Sequence, residues 1–136
     1  NPICNKCGHV MNKIKLVTIA TTCWKCGRNM KLAMIVAKNR FNRLSPEEFD
    51  NREVATAISL GVNIKPRYSR TMHETYLANT CKHCNAFVGS FYMHEYYHLP
   101  HQEELDMGYK CFNCIDIKHQ MRAEQYRLQD EEVFDW

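Results

Sequence analysis

The sequence predicts a small α+β fold in which short antiparallel strands and two helices are held together by bound metal. Three observations carry this expectation. All eight cysteines fall into four Cys-x-x-Cys pairs, Cys4/Cys7, Cys23/Cys26, Cys81/Cys84 and Cys111/Cys114, with none left over. The stretches leaving these pairs are rich in Ile, Val, Thr and aromatic residues, as strands are. Helix signals are confined to two places, after Ser45 and after Cys114. Two thiolates three positions apart on a tight turn grip an ion from one side, and four close a tetrahedron, so eight complete two sites. That is the makeup of a zinc ribbon with two structural Zn2+ ions per chain and no ligand position open to water or substrate.

Other uses of the cysteines fit less well. A disulfide framework belongs to secreted chains. Gly8 and Gly27, however, follow the second cysteine of their pairs, where a metal-gripping turn needs a positive φ, and Asn85 in the same place tolerates one. Ile115 after Cys114 does not, so the fourth knuckle is expected to be the least regular. A redox site at Cys23-Trp24-Lys25-Cys26 would need a βαβ context that its flanks lack.

At 136 residues the chain is expected to form one domain, residues 1–136, with knuckles at 4–7 and 111–114 near its ends and a C-terminal helix and tail at 115–136. The longest apolar run, Leu32 to Ala37, is far shorter than the ~20 residues a membrane span needs. No charged-then-apolar leader precedes Cys4, and reduced thiols suit the cytoplasm, so a soluble cytoplasmic protein is the expectation. The formal charge is +3, unevenly spread: residues 1–82 hold 14 Lys and Arg against 5 Asp and Glu, residues 83–136 hold 4 against 10. Lys6, Lys25 and Lys82 sit inside knuckles, where they offset thiolate charge.

In chain order, Val10 to Ala20 reads as a strand delivering the chain to the second knuckle, and Met30 to Ala37 as a buried strand leaving it. Ser45-Pro46-Glu47-Glu48 reads as a helix start, with Ser45 as N-cap, Pro46 in the first turn and Glu48 closing a capping box. That helix is expected to run to about Leu60, with Gly61 as its C′ residue. Val62 to Thr75 reads as a loop because of Pro66. Ala86 to Tyr97 reads as a strand or hairpin ended by Pro100, and Gln102 to Asp106 as an acidic turn. From about Ile115 a helix is expected, its thin apolar stripe formed by Ile117, Met121 and Leu128.

Ile64-Lys65-Pro66-Arg67-Tyr68-Ser69-Arg70-Thr71, followed by Tyr76-Leu77-Ala78-Asn79-Thr80-Cys81-Lys82-His83-Cys84, resembles a group of uncharacterised bacterial and phage zinc-ribbon proteins. Their second knuckle follows a similar Tyr-Ser-Lys-Thr and Trp-Ala-Asn phrase, and their first is a Cys-Trp-Lys-Cys-Gly like Cys23 to Gly27. The resemblance covers residues 23 to about 95. It implies a bacterial or phage protein, and similar modules look to be stand-alone or joined to competence-protein-like nuclease regions. It also implies that Cys23/Cys26 share an ion with Cys81/Cys84, leaving Cys4/Cys7 to Cys111/Cys114. Local spacing argues for the sequential alternative, since fifteen residues separate Cys7 from Cys23, but the nested arrangement that the resemblance implies is the one expected. Leu77, where relatives often carry Trp, and the two outer knuckles depart from the pattern.

For function, closed Cys4 sites point to an adaptor or regulatory module that binds a nucleic acid or a protein partner, more than to an enzyme. Two basic segments combine phosphate-seeking charge with a stacking aromatic: Lys38, Arg40, Phe41 and Arg43 in one, Lys65, Arg67, Tyr68 and Arg70 in the other. The acidic tail with Val133, Phe134 and Trp136 is a candidate docking peptide for a protein partner. His94-Glu95-Tyr96-Tyr97-His98 matches the HExxH string of zinc hydrolases, which is the enzymatic alternative beside a nuclease-associated accessory role. That chemistry needs a helix, where the flanking Phe87, Val88, Phe91 and Tyr92 read as strand.

Overall fold

The Ile, Val and Thr of the first long run build an eleven-residue strand, β1 (Asn12–Thr22), in the computed structural model, which describes residues 1–37, 40–70 and 73–134. The second knuckle turns β1 back on β2 (Asn29–Ala37), pairing antiparallel from Thr22↔Asn29 to Ile14↔Ala37. At the start of β1, Ile14 and Leu16 are buried between exposed Lys13 and Lys15; from Leu16 to Ile19 every side chain is buried. A strand covered on both faces needs no alternation. β3 (Arg40–Leu44) lies on the far edge of β2 and β7 (Glu103–Lys110) on the far edge of β1, giving the order β3-β2-β1-β7.

β7 replaces the acidic turn expected at 102–106. Its carboxylates have partners on the sheet: Glu103 accepts from the Thr18 hydroxyl at 3.0 Å and pairs with Lys31, while Glu104 lies 3.6 Å from Lys15. Such cross-strand pairs make acidic residues compatible with a strand.

The helix signals at Ser45 resolve differently from the expectation. Pro46–Glu48 form only one 3-10 turn, and Ser45 makes no side-chain cap. Phe49 is extended, and the chain caps again at Asp50, whose carboxylate accepts the Glu53 N–H at 2.8 Å while Glu53 accepts the Asp50 N–H at 2.8 Å. The sequence carries two capping boxes in tandem, and the second starts helix α1 (Asn51–Ser59). The helix ends as expected at Gly61, φ +94, with Val62 N–H on the Ala57 carbonyl and Gly61 N–H on that of Ile58, the Schellman pattern.

The loop expected at 62–75 is a hairpin. β4 (Ile64–Ser69) pairs antiparallel with β5 (Glu74–Thr80), which pairs with the two-residue β6 (Phe87–Val88). Pro66 is tolerated because β4 is an edge strand of this sheet. The strand or hairpin expected over 86–97 is also corrected: after β6 the chain forms a 3-10 helix, Ser90–Tyr96. Its aromatics Phe91 and Tyr92 face solvent and only Met93 is buried, so they are not packed on a pleated surface as strand aromatics are.

Contacts divide the chain into two units, residues 14–108 and residues 1–13 with those from 109 onward. The larger unit centres on Val17, Ile19, Met30, Leu32, Met34, Val88 and Met93, with Cys23 and Cys81 in the same cluster. In the smaller, an isolated Ile3↔Val10 bridge closes the first knuckle and α2 (Phe112–Phe134) follows Cys111. Phe112 and Ile115 are buried, while Ile117 and Met121 of the expected stripe are exposed. Among the described residues the fold is thus α+β with antiparallel strands, two α-helices and two 3-10 segments.

Candidate metal centres

Three of the four knuckles share one backbone design. The first cysteine donates its N–H five residues on, Cys4 to His9 at 2.8 Å, Cys23 to Arg28 at 2.7 Å and Cys81 to Ala86 at 2.7 Å. The residue after the second cysteine returns its N–H to the first cysteine's carbonyl, from Gly8 and Gly27 at 2.9 Å and from Asn85 at 3.1 Å. Those three residues have φ of +77, +75 and +67, as their identities required. Main-chain N–H groups also point at sulfur: Lys25 to Cys23 Sγ and His83 to Cys81 Sγ, both 3.4 Å. The fourth knuckle is instead the first turn of α2, with Cys114 N–H 3.4 Å from Cys111 Sγ. Ile115 there is an ordinary helical residue, so no positive φ is needed.

The eight thiols form two groups, Cys4, Cys7, Cys111 and Cys114 in the smaller unit and Cys23, Cys26, Cys81 and Cys84 in the larger, with the sulfurs of each group within 4.8 Å of one another. Sulfurs from opposite knuckles approach to 3.7 Å (Cys4–Cys114) and 3.4 Å (Cys7–Cys111) in one, and 3.5 Å (Cys23–Cys84) and 3.7 Å (Cys26–Cys81) in the other. A disulfide would need about 2.05 Å. A tetrahedral ion with sulfurs at about 2.3 Å sets them about 3.8 Å apart, so these donor sets fit a metal ion. The pairing is nested, and the sequential one suggested by spacing is not formed. Between Cys7 and Cys23 the chain runs along β1, and eleven extended residues span roughly 35 Å.

Without an ion, four clustered thiols divide the available stabilisation unequally. In the smaller site the Asn113 amide and the His9 N–H bring Cys7 down to about 5, while Cys111, Cys7 and Cys4 push Cys114 up to about 12. In the larger site burial opposes ionisation of Cys23, yet the Cys26 and Lys25 N–H groups and the neighbouring thiols outweigh it and bring it to about 6. Cys84 receives the Ala86 N–H, but burial and its three thiol neighbours push it up to about 11. Each group ionises in part readily and in part only with great difficulty, and a divalent cation removes the mutual repulsion that causes the second.

The predicted basic residues are distributed more widely. Arg43 stacks on Tyr97 with its guanidinium 5.1 Å from the ring centre, and Arg67 on Phe87 at 4.8 Å. Because residues 64–69 are strand, Lys65 and Arg67 share one face of the sheet and Tyr68 points to the other. Tyr68 and Arg70 are exposed, Arg40 and Phe41 lie in β3, and Lys38 and Trp136 fall outside the described residues. The HExxH match is not an α-helix. Its 3-10 segment ends at Tyr96, and at three residues per turn positions four apart diverge by about 120°. His94 Nδ1 is bonded to the Phe91 carbonyl, and among the described residues neither His94 nor His98 belongs to a metal-capable group.

Sequence reasoning missed Asn113, whose amide lies 3.0 Å from His9 Nδ1 and which helps ionise Cys7; nothing in its local sequence signals this. It also missed a cleft of about 560 Å³ in the larger unit, of mixed polar and apolar lining that includes Thr22, Asn29, Met30, Lys31, Thr80 and Gln102. The Lys31 ammonium there is held by the Leu60 carbonyl and the Glu103 carboxylate. No family model, curated protein or solved structure matches this chain.

Proposed function

We propose that the chain is a zinc-ribbon protein that binds two Zn2+ ions and serves as a non-catalytic module for nucleic acid. The observation that carries the reading is the complete use of eight thiols in two closed four-sulfur groups, a donor set that favours zinc and keeps no position for a substrate. Among the described residues no helix is long and apolar enough to cross a membrane, and reduced thiols suit a bacterial or phage cytoplasm. Nucleic acid is favoured by arginines set against aromatic rings, Arg67 on Phe87 above all. A protein partner, in the adaptor role of a nuclease-associated accessory, is the second reading, favoured by exposed Ile117 and Met121 on α2. Elemental analysis of reduced, folded protein should give two zinc ions per chain, and gel-shift assays at low salt should show binding to DNA or RNA. Fewer metals would overturn the first half; failure to shift any nucleic acid would overturn the second and turn attention to α2.

A further inference from the structure

The two knuckles that meet in the larger unit carry more than ligands. Trp24 is 64% exposed, although its indole N–H donates to the Phe87 carbonyl at 3.1 Å. The ring is therefore tethered by its polar edge while its apolar surface stays in water, where a side chain of this size would gain by burial. Beside it, Phe87 takes the Tyr76 ring edge-on at 6.4 Å and Arg67 over its face. Arg28 reaches across to His83, 3.4 Å from its Nδ1, linking one knuckle to the other.

Within the two knuckle segments the charge has one sign, while Glu47 acts on Tyr76 beside Arg67. Residues 24–28 and 82–85 contain Lys25, Arg28 and Lys82 and no Asp or Glu, and among the described residues none of the three is in an ion pair. All three are exposed. Offsetting thiolate charge is one use for them. A Zn(Cys)4 group carries roughly −2, which three cations exceed before Arg67 is added.

We infer that the paired knuckles of the larger unit bind single-stranded nucleic acid, with Trp24 as the stacking platform for a base and Lys25, Arg28, Lys82 and Arg67 contacting the flanking phosphates. The inference rests on the nucleic-acid reading above and moves its centre from the two predicted basic segments to the metal-bearing tip. A single strand is specified because an exposed ring at a protein tip needs an unpaired base face, which a duplex keeps stacked.

The test uses the full-length, zinc-loaded chain and fluorescein-labelled oligo-dT and oligo-U, with anisotropy as the readout and zinc content measured on every variant. Wild type should bind with a steep salt dependence. Trp24→Ala should lose roughly 10- to 100-fold in affinity at unchanged zinc content, and Trp24→Phe, which keeps a ring, should stay within a few-fold of wild type. Lys25→Ala and Lys82→Ala should each reduce the slope of log K against log salt by about 0.7. Should Trp24→Ala lose metal, the Lys25→Glu/Lys82→Glu variant carries the test, and binding equal to wild type would overturn the inference. Wild type and a zinc-loaded Trp24→Ala binding equally, or wild type binding only duplex, would overturn the inference and leave the nucleic-acid reading standing. Absence of any nucleic-acid binding by wild type would overturn both.

Discussion

The Asn79 side chain pairs with the main chain of Ala33 as a neighbouring strand would. Its amide oxygen accepts the Ala33 N–H at 2.9 Å and its nitrogen donates to the Ala33 carbonyl at 3.0 Å, with Asn79 fully buried. The cause lies in β3, which pairs with β2 only from Ile35 onward. At Ala33 that edge of β2 is buried without a strand beside it, and unpaired buried backbone groups are costly. Asn79, on β5, fills the place and joins the two sheets.

Asn79→Ala should therefore leave two buried backbone groups unpaired, at about 1–3 kcal/mol each. The expected loss is about 2–6 kcal/mol, read as a lower denaturant midpoint at unchanged zinc content. A loss below about 0.5 kcal/mol would show that water or a shift of β3 replaces the amide.

Legibility in the sequence followed the range of the interactions. The knuckles were legible because metal-gripping turns depend on local backbone conformation, which Gly8, Gly27 and Asn85 declare, and β1 and β2 because buried β-branched runs do so too. The β4–β5 hairpin was not: Pro66 argues against a strand unless the strand is known to be an edge, and edges are set by tertiary pairing. β7 was hidden in the same way, since Glu103 suits a strand only once Lys31 and Thr18 stand opposite it. Neither the nested pairing, which local spacing disfavoured, nor the role of Asn79 could be read from residues near them in the chain.

The knuckle turns offer a second test. Gly27 has φ +75 and open space where a Cβ would sit, so conformation alone opposes substitution. Gly27→Ala should cost about 1–2 kcal/mol, whereas Gly27→Asn should cost less and Asn85→Gly should be near neutral. Equal effects of Ala and Asn at position 27, in thermal melts of the zinc form, would remove this account of the turn.

Zinc uptake should release protons. Without metal, Cys84 at about 11 and Cys114 at about 12 hold their protons at pH 7, whereas Cys7 at about 5 and Cys23 at about 6 have already lost theirs. Binding must expel what remains, so calorimetric enthalpies at pH 7 should depend on the ionisation enthalpy of the buffer. The sign follows: affinity, and the stability it confers, rises with pH, and falls more steeply once pH drops through about 6 and then 5, where Cys23 and Cys7 also take up protons. Affinity independent of pH between 5 and 8 would contradict this.

Metal removal should separate the two units. In the smaller, the buried apolar residues among those described are Cys4, Cys111, Phe112 and Ile115, and two of these four belong to the four-thiol group. In the larger, Leu16, Val17, Ile19, Leu32, Met34, Ile35 and Met93 are essentially inaccessible, and none of them is a metal-ligating side chain. A unit whose core consists largely of its metal site has little else to offset chain entropy. Graded chelation should therefore abolish amide-exchange protection around Cys111 and along α2 before the amides of β1 and β2 are affected. Deleting residues 1–8 in zinc-loaded protein should do the same, because Cys4 and Cys7 share their site with Cys111 and Cys114. Were the sequential pairing correct, that deletion would instead expose amides around Cys23 and leave those near Cys111 protected.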